Sequence, residues 1–446
     1  MSTVFDAPPP SLPADRVAGF AAATFGVTGE ITPLASERDQ NLRVGGHVVK
    51  VAHAAEDAAV LDLQSAALRH LARTAPHLPL PRLVEPGVVQ YDGHLVRAVT
   101  WLDGAPYAEV THTPELRRSL GTFMGRLSAG LAGFGHPAAH RPGFLWNLDD
   151  AAAVEPWVAD IADEADRAMV AGVFARHRRV VAPRLPSLRA AVVHGDANDW
   201  NVLVDRDGQR VSGLIDFGDV AWGRQVNELA VTLAYALLDV PDVVAAASDV
   251  IAAYCAEFPL TGDELHVLWE LVATRLAVSV AVSSHRSREF PDNGYLLVSQ
   301  APALRLLRRI TAMKPEFLRA CARAAAGLPP VPLQPAITAW LDDRDACRPT
   351  GPLPFDLRTA ARVVVSLAGD APLTAITDPV ASWEWIRAEM TAADAVVALG
   401  RYDEDRACYA GEQFTTDAPE PRSVHTGIDL FVEVDTPVRA MLPGTV

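Results

Sequence analysis

Residues 192–219, VVHGDANDWNVLVDRDGQRVSGLIDFGD, constrain the chain most, because they set three oxygen-bearing side chains on two turns joined by a hairpin. An apolar run over 190–193 delivers His194-Gly195-Asp196, and Asn201 follows five positions after Asp196. A strand from Asn201 to Val204, a turn at Asp205-Arg206-Asp207-Gly208 and a returning strand over 211–215 end on Asp216-Phe217-Gly218. The pattern suits metal-assisted phosphoryl transfer. A hydroxyl attacking a γ-phosphate needs a carboxylate to orient it and take its proton, and Asp196 is placed for that. Mg2+ prefers oxygen ligands, a few from protein and the rest from phosphate and water, and the hairpin brings Asn201 and Asp216 together to supply them. A plain Asp-Gly hairpin with solvated carboxylates is the competing reading, and two ordered motifs at matching spacing disfavour it.

The two motifs resemble the catalytic loop and metal-binding Asp-Phe-Gly of the protein kinase-like fold, with His-Gly-Asp where protein kinases have His-Arg-Asp. That variant is similar to the aminoglycoside phosphotransferase and choline kinase-like family of small-molecule kinases. The resemblance implies an α+β, bilobal fold with a β-rich N-lobe and a helical C-lobe. It implies Asp196 and Asn201 as catalytic residues, Asn201 and Asp216 as metal ligands, Mg2+ as cofactor, and ATP or GTP as phosphoryl donor.

Only Lys50 and Lys314 among the 39 basic residues are lysines, so a retained Lys calls for a reason. Lys50 lies on a strand predicted over 47–52, after a strand over 41–44 and a Gly45-Gly46 hairpin turn. In a kinase-like N-lobe that is the place of the lysine that pairs with the α- and β-phosphates, where a compact ammonium on a flexible stem fits. A lysine snorkelling from a strand edge is the plainer alternative. No GxGxxG precedes it; the polar run from Ser36 to Asn41 occupies the corresponding place and offers backbone N–H groups and the Ser36 hydroxyl. The helix expected over 56–72 should hold the acidic partner of Lys50, with Glu56 and Asp62 both candidates. Strands over 83–89 and 94–100 lead to Trp101-Leu102-Asp103-Gly104, which looks like the hinge, where backbone groups near Thr100 and Leu102 would hydrogen-bond a purine. SERDQNLRV and VVKVAHAAEDAAVLDLQSAALRHL sharpen the resemblance to the hydroxylysine kinase-like branch, as does HPAAHRPGFLWNLDDA.

From Pro114 onward the pattern is helical, over 115–134, 151–177, 242–258, 263–286 and 301–325. No Ala-Pro-Glu segment follows Gly218, which disfavours a protein substrate. Glu228 is expected to brace the catalytic loop through backbone N–H groups. Trp200 and Trp222 flank the expected pocket, either facing a substrate ammonium or packed in the core. His136 and His140 are four apart, but the prolines beside them argue against a metal pair.

The net charge of −16 argues against a nucleic-acid binder, since affinity for the phosphate backbone comes from clustered Lys and Arg. Cys255, Cys321, Cys347 and Cys408 are scattered without zinc-ligand spacing, consistent with reduced thiols. The N-terminal residues lack a signal peptide's basic and apolar regions, and no apolar stretch promises a membrane span, so a cytoplasmic location is expected. The ending, RSVHTGIDLFVEVDTPVRAMLPGTV, looks like the opening of a lysostaphin-like (M23-type) peptidase domain, with His425 and Asp429 at two ligand positions and no later His-x-His. No bound metal is expected there. The stop at Gly444-Thr445-Val446 predicts a fragment of a longer protein, in which a class III aminotransferase-like domain using pyridoxal phosphate would eliminate phosphate from the kinase's product.

The expected organisation is a lead-in over 1–14, an N-lobe over 15–100, a C-lobe over 101–345 and a partial M23-like module over 346–446. The expected partners are a nucleotide and a small amine or amino acid; hydroxylysine, ethanolamine, threonine, homoserine and aminoglycosides all remain open as acceptors. A catalytically inactive kinase-like scaffold is the alternative, and it has no physical need for Lys50, Asp196, Asn201 and Asp216 together.

Overall fold

Gly26, just past an amphipathic run, ends helix α1 (Ala14–Phe25) with φ 68°, a left-handed cap that glycine adopts without strain. The structure, a computed structural model, describes residues 9–36, 38–289, 300–343, 351–369, 372, 378–406, 409 and 423–441. Cys347, Cys408 and residues 444–446 lie outside the described residues. The chain divides into two compact units, Met1–Gln334 and Pro335–Val446.

In the first unit, alternating apolar residues build strands β1 (Ile31–Leu34), β2 (Gln40–Val44) and β3 (His47–Val51). Helix α2 (Ala58–Thr74) follows, then β4 (Val89–Tyr91) and β5 (His94–Thr100). The antiparallel sheet runs β1-β2-β3-β5-β4. One face buries Val49, Val51, Val96 and Ala98 against Val17, Ala21 and Phe25 of α1. Asp57 caps α2 by accepting the Ala59 N–H at 2.9 Å, and Leu63, Leu68 and Leu71 on its inner face are buried, each worth roughly 1.5–3 kcal/mol. The strand expected over 83–89 is absent apart from a bridge from Leu83 to Val99. Pro86 and Gly87, at φ 97°, turn the chain there instead.

Strand β6 (Ala105–Pro106) leads to helix α3 (Pro114–Leu131), whose first turn is capped by the Thr113 hydroxyl accepting from the Leu116 N–H. The helix expected over 151–177 is broken: two 3-10 turns precede α4 (Glu164–Arg176), because Pro156 interrupts the ladder and Asp163 caps a new start. Next come β7 (Ala190–Val193), β8 (Val202–Val204), β9 (Val211–Leu214), β10 (Ala221–Arg224), α5 (Val226–Ala236), α6 (Val243–Glu257) and α7 (Gly262–Glu289). Among the described residues α7 alone is long and apolar enough to cross a membrane, and 89% of its apolar window is buried by the protein itself. It is a core helix. The helix expected over 301–325 is two, α8 (Gln300–Ala312) and α9 (Pro315–Ala325), since Pro315 starts a helix but cannot continue one.

The second unit holds α10 (Gln334–Asp342), which begins on the last residue of the first unit, then β11 (Arg362–Val365), α11 (Pro379–Ala392), β12 (Val397–Gly400), β13 (Glu404–Asp405), β14 (Val424–His425) and β15 (Leu430–Phe431). Strands β11, β12 and β15 form a mixed sheet, and Val365, Ile386, Met390 and Ala398 form a small core.

Candidate active site

The catalytic-loop turn is built by Asn198. Its Oδ1 accepts the N–H groups of Trp200 and Asn201, both at 2.9 Å, while its Nδ2 donates to Asp196 Oδ2 at 3.1 Å. Asn201 Nδ2 donates to the same oxygen at 2.7 Å and to the Asp196 carbonyl at 2.9 Å. The other oxygen, Oδ1, accepts from Arg275 Nη2 at 2.8 Å. Both carboxylate oxygens of Asp196 are thus fixed. Burial pushes its pKa up, the negative charge of Asp219 adds to that, and the Arg275 guanidinium pulls it down.

Behind the loop, His194 is fully buried, packed edge-on against Phe217, and burial lowers its pKa to about 4. Glu228 Oε2 accepts the His194 N–H at 2.6 Å, which is the bracing expected of it. The hairpin of β8 and β9 closes with the Ile215 N–H on the Asn201 carbonyl at 2.9 Å, so Asn201 and Asp216 stand side by side. Asp216 has φ 60°, a left-handed conformation that costs a non-glycine residue roughly 1–3 kcal/mol and that the surrounding bonds must hold. Its carboxylate lies 3.8 Å from Lys50 Nζ, and that ammonium holds it well below the usual carboxylate range. With both hydrogens of the Asn201 amide committed, its Oδ1 is in no described hydrogen bond. One amide oxygen and one ionised carboxylate make a hard donor set that suits Mg2+ completed by phosphate and water.

The N-lobe expectations divide. Lys50 lies at the cleft, but neither proposed acidic partner reaches it. Glu56 precedes α2 and accepts the neighbouring Asp57 N–H at 3.3 Å; Asp62 is on the outer face of α2, 68% exposed and 3.2 Å from His136. The polar residues that α2 buries are Gln64 and Ser65. At the hinge, the Thr100 N–H and Oγ1 are both taken by the backbone of Arg82 at 2.9 Å, so the Thr100 amide is not open to a purine. Leu102 has no described backbone hydrogen bond. Ser36 Oγ accepts the Asp39 N–H at 3.3 Å within its loop. From the same loop, Arg38 reaches Asp219 at 2.9 Å. Trp200 is 39% exposed, and Trp222 packs beside His140.

Arg275 was not singled out in the sequence. It is one of the largest fully buried side chains, lying over the rings of Trp146 and Tyr235, and the available signal was an arginine in the middle of an apolar helix. In the second unit, His425 Nε2 lies 3.4 Å from Asp429 Oδ1, Arg406 reaches Asp429 Oδ2 at 2.6 Å, and Tyr409 shares a hydrogen bond with His425 Nδ1 at 2.7 Å. Among the described residues no cluster of three or more His, Cys, Asp or Glu side chains is placed to hold a metal ion.

Residues 30–268 match the family model described as the phosphotransferase enzyme family. The hydroxylysine kinase of Danio rerio is 30% identical over 330 residues, spanning 68% of this chain and 92% of that protein. Two solved structures share the fold at low identity. A microcompartment-associated aminopropanol kinase aligns at 17% identity with a TM-score of 0.52, covering 67% of this chain and 98% of its own. Amicoumacin kinase, solved with AMP-PNP and Ca2+, aligns at 15% with a TM-score of 0.52, covering 69% and 97%. The site geometry and these matches agree, and the chain belongs to the phosphotransferase enzyme family.

Proposed function

We propose that the first unit transfers the γ-phosphoryl group of ATP or GTP to the hydroxyl of an amino alcohol or hydroxy amino acid, with hydroxylysine-like acceptors first in line. The observation that carries this is the Asp196 carboxylate, fixed at both oxygens beside the oxygen pair of Asn201 and Asp216. Asp196 accepts a hydrogen bond from the acceptor hydroxyl and takes its proton as that oxygen bonds to the γ-phosphorus; the bond from phosphorus to the bridging oxygen breaks and the nucleoside diphosphate leaves. Lys50 steadies the phosphates, and the Leu102 backbone holds the purine. Asn201 and Asp216 would hold Mg2+, which neutralises phosphate charge when bound. The hydroxylysine kinase relative supports the acceptor class, and the acidic chain suits a cationic amine.

The organisation proposed for the chain is a lead-in over 1–14, the two lobes over 15–345 and a terminal module over 346–446. A longer protein that passes the phosphorylated product to a pyridoxal phosphate-dependent elimination extends the same reading. It rests on the resemblance of the final residues alone, and the mass of the native gene product tests it.

The direct test is nucleotide consumption with Mg2+, ATP and GTP in parallel, across a panel of hydroxyl-bearing amines and amino acids. A substrate-stimulated rate that Asp196→Asn lowers by about a hundredfold or more, with nucleotide affinity retained, is the expected result. An unchanged kcat in Asp196→Asn defeats the base assignment. Nucleotide bound but never consumed favours the scaffold.

A further inference from the structure

Three residues stand side by side across strands β2, β3 and β5: Asn41 opposite Lys50, and Lys50 opposite Arg97. Directly paired residues share a face, and Val49 and Val51 show that the other face is the one packed on α1. The row therefore faces α2 and the nucleotide cleft. Protein kinases pair the strand lysine with a glutamate on this helix, which cancels one positive charge. Here the buried polar residues of α2 are Gln64 and Ser65, neither of them charged; Ser65 donates to the Leu61 carbonyl, and Gln64 accepts a hydrogen bond from Arg97 Nη2. Arg97 is 4% exposed, and its Nε and Nη1 have no hydrogen-bond partner; Asn41 Oδ1 is likewise buried and unpartnered. No salt bridge to Arg97 occurs among the described residues. The carboxylates whose charge reaches it are Asp39, Asp216 and Glu56. Arginine stays protonated even when buried, so this is a charge the fold leaves without a counter-ion.

We propose that Arg97 is the second cation of the nucleotide-phosphate site, a buried positive charge that holds the polyphosphate through its field and keeps Lys50 turned toward the cleft. This rests on the kinase reading. Arg97 is a positioning residue: its guanidinium is buried, and it acts on the nucleotide through its charge and through Lys50 on the neighbouring strand. A glutamate on α2 would draw Lys50 inward; with Gln64 there, the ion pair of Lys50 crosses the cleft to Asp216. The missing counter-charge is the nucleotide itself.

Titration calorimetry of the full chain with ATP, ADP and AMP tests this, using Arg97→Met, Arg97→Lys and Gln64→Glu. Arg97→Met is expected to weaken ATP by about tenfold or more, ADP by less and AMP least, because the field acts on phosphate charge. Its melting temperature should equal or exceed that of wild type, since removing an unpaired buried charge relieves the fold. Arg97→Lys should restore most of the ATP affinity, and Gln64→Glu, which supplies a carboxylate to cancel the charge, should lose it. A folded Arg97→Met that binds ATP like wild type, or loses all three nucleotides equally, overturns the proposal. If Arg97→Met does not fold, Gln64→Glu decides: undiminished ATP binding overturns the inference. A wild-type protein that binds no nucleotide brings down the kinase reading itself.

Discussion

Glu228 is a carboxyl that the fold drives toward its neutral form: it is 1% exposed, and burial raises its pKa to about 7 while its Oε2 holds the catalytic loop at His194. The unfolded chain releases this proton above the ordinary value of 4.5, whereas the folded chain keeps it to about 7. The contribution of Glu228 to stability is therefore full below the lower value and is lost as pH rises through the higher one. Glu228→Gln keeps an oxygen acceptor and removes the titration. Thermal melts at about pH 5 and about pH 8 should show wild type losing stability relative to Glu228→Gln as pH rises, and a constant difference would mean the carboxyl does not titrate there. At this scale Asp196, Asn201 and Asp216 were legible because their spacing is local and their chemistry is limited to a few residue types. Arg275 and Gln64 were not. The first meets Asp196 across 79 positions and the second meets Arg97 across 33, and nothing in a local window reports a contact made by tertiary packing.

Helices α3 and α6 cross where Gly121 and Gly125 stand one turn apart. A Cβ at Gly121 would lie 2.3 Å from the Val250 carbonyl oxygen, and one at Gly125 would lie 2.6 Å from that of Tyr254. Two effects oppose each other in Gly121→Ala. Helix propensity favours alanine by about 1 kcal/mol, but the clash is with backbone that cannot rotate away, and overpacking of that kind costs roughly 1–3 kcal/mol or more. The clash should win, so urea unfolding should show Gly121→Ala destabilised. Gly172→Ala, in α4 with nothing within 4 Å of the new atom, should gain up to about 1 kcal/mol. Equal shifts in the two variants would refute the close crossing. Element type was readable from apolar periodicity, as in α1, β2, β3 and α7. The misses came where periodicity ran through a breaker: Pro156 and Pro315 each divide what reads as one helix, and Pro86-Gly87 bends what reads as a strand.

The first unit has its own extensive core, from Leu63 on α2 to Ala322 on α9, whereas among the described residues the second unit's core cluster is the small group of Val365, Ile386, Met390 and Ala398. Core burial scales with the number of such residues at about 1.5–3 kcal/mol each, so the two units should differ widely in stability. The bilobal kinase-like architecture was legible because motif order dictates it: a strand lysine, a hinge, then His-Gly-Asp and Asp-Phe-Gly. The terminal unit was less so, since its strands are two to four residues long and its resemblance rested on His425 and Asp429. Those two side chains are engaged with Tyr409 and Arg406, and a guanidinium against Asp429 opposes a cation at that carboxylate. Every residue placed in the phosphoryl-transfer site, from Ser36 to Arg275, lies within 1–334. Residues 1–334 expressed alone should therefore bind ATP with the affinity of the full chain and melt in its main transition. Loss of nucleotide binding on that truncation, with helical content retained, would show that the second unit contributes to the site.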